Sequence, residues 1–188
     1  MPERHPPIEA FGQSIAELTA AIEARGGPPP VDCWDPTHCG HSGMRIARDG
    51  TWFHEGRPIN RPAMVRLFAT VLRREPDGSH VLVTPVEKLA IDVEATAFRA
   101  TQMTMAGEGE DRRIGITLDS GDGLVIGPAH PLAVVDTDQG PSPRIAVRFG
   151  LEAELARPLY YELAEIALAE GHDPPGVWSD GMFFRLAP

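Results

Sequence analysis

The sequence predicts an α+β protein built from two similar small domains that arose by duplication, each a short antiparallel sheet with one helix. Three observations point there. Nineteen glycines and nineteen prolines break 188 residues into many short elements. Period-two apolar alternation recurs through the middle of the chain. An ordered set of signals also occurs twice: Arg-Pro at a helix start, a leucine six residues after that arginine, and a nine-residue close from Asp-Gly to Pro. The first copy is Arg61, Pro62, Leu67 and Asp77 to Pro85; the second is Arg157, Pro158, Leu163 and Asp180 to Pro188. The expected division is 1–32 for an N-terminal helix and connector, 33–106 for the first domain and 107–188 for the second. The acidic, glycine-containing segment 107–111 marks the boundary.

Ile8, Phe11, Ile15, Leu18, Ala21 and Ile22 fall at steps of three and four, which predicts the extra N-terminal helix, closed by Gly26 and Gly27. Pro28 to Pro30 then form a stiff connector. From Met44 to Lys88 the chain reads as hairpin, helix and strand. With Asp49 and Gly50 as a two-residue turn, Arg48 pairs with Thr51, Ala47 with Trp52, Ile46 with Phe53 and Arg45 with His54. Alternation then gives a core face of Met44, Ile46 and Phe53 and an outer face of Arg45, Ala47, Trp52 and His54. Asn60 is the expected N-cap, Pro62 opens the helix, and Met64, Leu67, Phe68, Val71 and Leu72 make its apolar stripe. Arg66 and Arg73, seven apart, share a solvated basic stripe that a phosphate could use. Pro76, Asp77 and Gly78 turn the chain into a strand that Pro85 stops, and two further strands run from Leu89 to Val93 and Phe98 to Met105. In the second half, a hairpin loop spans Asp119 to Gly123, two more strands follow, and a helix runs from Pro158 to Gly171.

Seventeen Lys and Arg against 27 Asp and Glu give a formal net charge of -10. Such a surface repels the phosphate backbone of nucleic acids and the anionic membrane leaflet, so neither polymeric nucleic acid nor membrane is an expected partner. A small anion needs only two or three local arginines. Two cysteines, no secretory leader pattern and no long apolar run indicate a reduced cytoplasmic setting.

Two stretches carry candidate chemistry. Cys33, His38, Cys39 and His41 are zinc-type ligands within nine residues, although the adjacency of His38 and Cys39 matches no zinc-finger spacing. Zinc is the one cofactor that loop would suit; the plainer alternative is a loop with two small thiols and two solvated imidazoles. The second candidate is the Arg45, Trp52 and His54 face, closed by Arg61, Thr84, Glu87 and Lys88. In that arrangement Trp52 stacks a flat ring, the cations hold an anion, and Glu87 accepts from ring or ribose donors. The alternative there is a Trp52 that covers a neighbouring layer while Arg45 and His54 stay solvated.

The segments MRIARDGTWFHEGRPI, RPAMVRLFATVLRRE and LVTPVEK, with GLEAELARPLYYELAEIAL further on, closely resemble the domain of unknown function 1285 family. The resemblance covers most of the chain. It implies a duplicated pair of α+β domains, the second superficially similar to a pleckstrin-homology fold. It also implies no established enzymatic activity, and a nucleotide-like ligand at the domain interface with a role in signal transduction. Relatives more often carry acidic residues where this chain has His41 and Gly43, which speaks against a family-wide zinc site. The leading expectation is therefore a non-enzymatic regulatory module that senses a small nucleotide-like anion. A zinc-dependent hydrolase at the Cys/His loop and a protein-interaction adaptor are the alternatives; no protein partner is identified by the sequence.

Overall fold

The protein is described by a computed structural model over residues 29–187. The expected N-terminal helix lies outside the described residues. The chain divides into two compact units at Ala95 and Thr96.

The first unit contains β1 (His38–Ile46), β2 (Trp52–His54), β3 (Arg57–Pro58), α1 (Pro62–Thr70), β4 (Leu72–Arg74), β5 (His80–Val83) and β6 (Glu87–Val93). Its six strands lie in the order β3-β2-β1-β6-β5-β4. Every neighbouring pair is antiparallel except the central one, β1 with β6, which is parallel. The second unit contains β7 (Phe98–Ala106), β8 (Arg113–Leu118), β9 (Gly123–Ile126), β10 (Leu132–Thr137), β11 (Gly140–Arg148) and β12 (Leu151–Leu155). These form a second sheet in the order β10-β11-β12-β7-β8-β9, again parallel only at its centre, β12 with β7. Then follow α2 (Arg157–Glu170), β13 (Gly176–Ser179) and β14 (Met182–Arg185).

Counting strands within each unit, both sheets read 3-2-1-6-5-4, so the duplication is one of whole six-stranded sheets. The repeat does not follow the signals that suggested it. α1 connects the third and fourth strands of its sheet, whereas α2 follows the sixth. Likewise Asp77 and Gly78 lead into β5 of the six-stranded sheet, but Asp180 and Gly181 join β13 to β14 in a separate two-stranded sheet. The expected boundary at residue 107 also moves. β7 pairs with β8 and β12, so it belongs to the second unit, and 107–111 lies between β7 and β8.

Turn chemistry sets the registers. Glu55-Gly56, Phe149-Gly150 and Asp180-Gly181 all have positive φ at both residues and close two-residue hairpins. Asp49-Gly50 belongs to a longer class. Ala47 donates its N–H to Thr51 and Gly50 donates to Ala47, both at 2.9 Å, with Gly50 at φ 89°. The loop is therefore Arg48 to Gly50, and the Asp49 carboxylate accepts from the Thr51 N–H at 2.9 Å. Pro76 to Gly78 repeats this arrangement between Glu75 and Ser79. One residue more in the loop shifts the pairing to Met44 with His54, Arg45 with Phe53 and Ile46 with Trp52. The predicted hairpin register is thus wrong by one residue, and β2 shows the opposite face to the one expected.

α1 starts at Pro62, with Arg61 rather than Asn60 as N-cap and no side-chain cap bond. It stops at Thr70 because the next residues are claimed by the sheet: Val83 donates to the Val71 carbonyl at 2.9 Å, and Leu72 pairs with Leu82. Arg73 consequently lies on β4, not on the helix. Met44, Ile46, Trp52, Phe68, Leu72, Leu82, Leu89 and Ile91 are buried in this unit. The second unit buries Phe98, Ile114, Leu118, Ile126, Ile145, Leu151 and Leu163. Ser179 fixes the β13–β14 hairpin there: its hydroxyl accepts from the Ile114 N–H at 3.0 Å and donates to the Ile126 carbonyl at 2.6 Å. Among the described residues, no helix is long and apolar enough to cross a membrane.

Candidate functional site

The first sheet has two different faces. Register partners share a face, so Met44, Ile46, Trp52 and His54 lie together, and Trp52 stacks on Phe68 of α1 with ring centroids 6.3 Å apart. This is the apolar side. The opposite face carries Cys39, His41, Arg45, Phe53, Lys88 and Asp92, as the β1–β6 and β1–β2 registers require.

That partition dismantles the predicted ligand face. Trp52 and His54 are each 5% exposed on the helix side, while Arg45 projects from the other side. The Arg45 guanidinium lies 4.4 Å from the centre of the Phe53 ring and pairs with Glu94. Phe53, expected in the core, is half-buried. Glu94 also accepts from the Arg48 N–H at 3.0 Å. That backbone hydrogen bond, then the Arg45 charge, holds the Glu94 carboxyl below its ordinary range.

The residues expected to close the site have local duties. The Thr84 hydroxyl accepts from the Glu87 N–H at 3.2 Å and donates to the Glu87 carbonyl at 3.3 Å, which closes the β5–β6 connection. Glu87 and Lys88 are successive residues of β6 and so face opposite ways. Lys88 reaches Asp35 at 3.5 Å and Glu75 at 4.0 Å. Glu75 in turn pairs with Arg73, whose Nη1 donates to the carbonyls of Val31 at 2.6 Å and Trp34 at 2.9 Å. This network straps the segment before β1 onto β4. Of the seven predicted ligand residues, only Arg61 is exposed and without a partner among the described residues.

The Cys/His quartet does not assemble either. His38 and Cys39 alternate to opposite faces of β1, and Cys33 sits in a separate 3-10 turn, Val31–Cys33. His41 shares the Cys39 face, but its Nδ1 accepts from the Gly43 N–H at 3.0 Å and its Nε2 lies 3.6 Å from Asp92. Among the described residues, no three His, Cys, Asp or Glu side chains converge to hold a metal. Both thiols are free and exposed. The residues therefore do not fit a zinc centre.

A different group stands out. From Gly56 to Arg74 the chain has five arginines and no aspartate or glutamate, in a protein with 27 acidic residues. Arg73 is used in the strap, and Arg74 is also engaged. Arg57 on β3, Arg61 at the N-cap of α1 and Arg66 within α1 are exposed, and no described residue pairs with them. Elsewhere cations are mostly paired: Arg99 with Glu154, Arg112 with Glu170, Arg113 with Asp180, Arg144 with Glu152 and Arg148 with Asp122. Arg57 is the register partner of His54, so both side chains leave the same face of the β2–β3 ribbon. Sequence reasoning missed Arg57, and the acid-free run was the signal that could have found it.

Comparison with known proteins agrees with the architecture. Residues 29–96 match the N-terminal domain, and residues 97–186 the C-terminal domain, of the family described as domain of unknown function DUF1285. No curated protein matches. A crystal structure of a DUF1285 family protein from Silicibacter pomeroyi DSS-3 is similar, with 40% identity and a TM-score of 0.76 over 89% of this chain and 93% of that one. A DUF1285 family protein from Shewanella baltica OS155 shares the fold, with 22% identity and a TM-score of 0.53 over 65% of this chain and 91% of that one. With both halves of the duplicated sheet matched in order, the chain belongs to the DUF1285 family.

Proposed function

We propose that this protein is a non-catalytic regulatory module that binds a small phosphate-bearing, nucleotide-like anion and acts in signal transduction. The observation that carries the reading is the pair of exposed arginines, Arg57 and Arg61, within the acid-free run, neither of which has a partner among the described residues. Two guanidinium forks with no carboxylate near them in sequence suit phosphate oxygens, and this local charge is what a small anion meets. The ligand is small because net repulsion grows with the length of an anionic polymer. Trp52, turned inward, contributes no stacking surface, so recognition rests on the phosphates.

Isothermal titration with pyrophosphate, ATP and GDP tests this. Saturable binding that weakens with added salt, and that is lost on Arg57→Ala with Arg61→Ala, supports it. No heat with any of the three, or binding that ignores the double substitution, rejects it.

A further inference from the structure

α2 presents a second uncommitted surface. Its inner side is fixed by Leu163 and Ala167, both buried, and by Tyr160, whose hydroxyl donates to the Leu186 carbonyl at 2.5 Å. Its outer side is another matter. Tyr161 is 60% and Leu168 72% exposed, and with Glu165 between them they form one line at helical spacing. Glu162 and Glu165 are exposed, and no described residue pairs with either. Among the described residues the other large apolar side chains that are exposed, Val86, Val135 and Met182, lie outside this helix.

The complementary surface is on the same chain. α1 shows Pro62, Ala63 and Arg66 outward, small apolar groups with a cation that has no partner among the described residues, and the stretch around it holds no acid. Seven residues of helix rise about 10.5 Å from Tyr161 to Leu168, within the about 13.5 Å length of the nine-residue α1. We infer that α2 of one copy docks on α1 of a second copy. Tyr161 and Leu168 cover the small outer residues of α1, while Arg66 meets Glu162 and Glu165 and lies against the Tyr161 ring. The contact uses Arg66 and not Arg57 or Arg61, so it stands apart from the anion proposal.

Sedimentation velocity on the full chain from micromolar to submillimolar concentration tests the inference. The wild type is expected to self-associate, less strongly as salt is raised. Leu168→Lys and Arg66→Glu should each weaken association at least about tenfold. Because both sites are exposed, far-ultraviolet circular dichroism should be unchanged. Adding Glu162→Arg and Glu165→Arg to Arg66→Glu should restore association. A wild type that stays monomeric throughout, or association that survives both single substitutions, overturns the inference. Failure of the charge reversal to restore what Arg66→Glu removes also overturns it.

Discussion

Trp52 and Phe68 stack with their ring planes 15° apart, and this contact joins β2 to α1. The three-residue loop turns Trp52 to this side, and the stack on Phe68 is where it enters the core. Trp52→Ala should destabilise the protein by about 3–5 kcal/mol, the usual range for deleting a buried aromatic side chain. Urea unfolding measures this, and a loss below about 1 kcal/mol would place Trp52 outside the core.

His54 lies beside Trp52 with its Nε2 buried and without a hydrogen-bond partner among the described residues. Unsatisfied burial of such a group costs about 1–3 kcal/mol, so an apolar residue of similar size should be tolerated or favoured. His54→Leu is expected to raise the denaturation midpoint or leave it unchanged. A clear fall would mean that the imidazole makes a contribution its surroundings do not reveal.

The slip in β2 shows what the sequence could and could not disclose. Strand positions in β6, β7 and β8 were legible because their alternation is long and their ends carry clear turn residues. The hairpin faces were not, because Asp-Gly serves two loop lengths in this chain. Asp180-Gly181 closes a two-residue loop, whereas Asp49-Gly50 is the end of a three-residue one. The dipeptide is the same, and only the neighbouring pairing decides. The helical stripe likewise ran two residues too far, through Val71 and Leu72, since apolar periodicity does not register a sheet waiting to claim them. The repeat was legible as a fact but not in its alignment, because sheet order is a property of non-local pairing. Arg57 escaped notice for a simpler reason: a lone arginine beside a proline has no pattern, and only the absence of acids over the whole run gives it meaning.

Arg112 and Glu170 predict an acid-side stability loss. The buried Arg112 guanidinium makes a two-pronged contact with Glu170, one prong at 3.3 Å, and joins the start of β8 to the end of α2. Hydrogen bonding to Arg112, then its charge, holds the Glu170 carboxyl below its ordinary value of 4.5. A carboxyl lowered in the folded state contributes stability that is fully present above the unfolded value and lost as pH falls through the folded one. The window therefore opens near pH 4.5 and extends downward. Glu170→Gln should flatten the dependence of unfolding free energy on pH in that window and lower stability at neutral pH. An unchanged acid limb would show that the pair does not couple to folding.

Ser179 makes two buried hydrogen bonds, to Ile114 and Ile126, so Ser179→Ala orphans a donor and an acceptor at once. A loss of about 2 kcal/mol is expected. Limited proteolysis should then cut first in the β13–β14 hairpin, which this hydroxyl holds in place. Cleavage unchanged from wild type would assign the anchoring elsewhere.

The placement of the anion site is tested most directly by titrating pyrophosphate into two charge-reversal variants side by side. The exposed pair, Arg57→Glu with Arg61→Glu, should abolish binding. Arg45→Glu, which alters a cation already held by Glu94 and Phe53, should leave affinity within about threefold of wild type, as salt-screened charges at a distance do. Loss of binding in the Arg45 variant with retention in the Arg57 and Arg61 variant would contradict the account and return the site to the opposite face of the sheet.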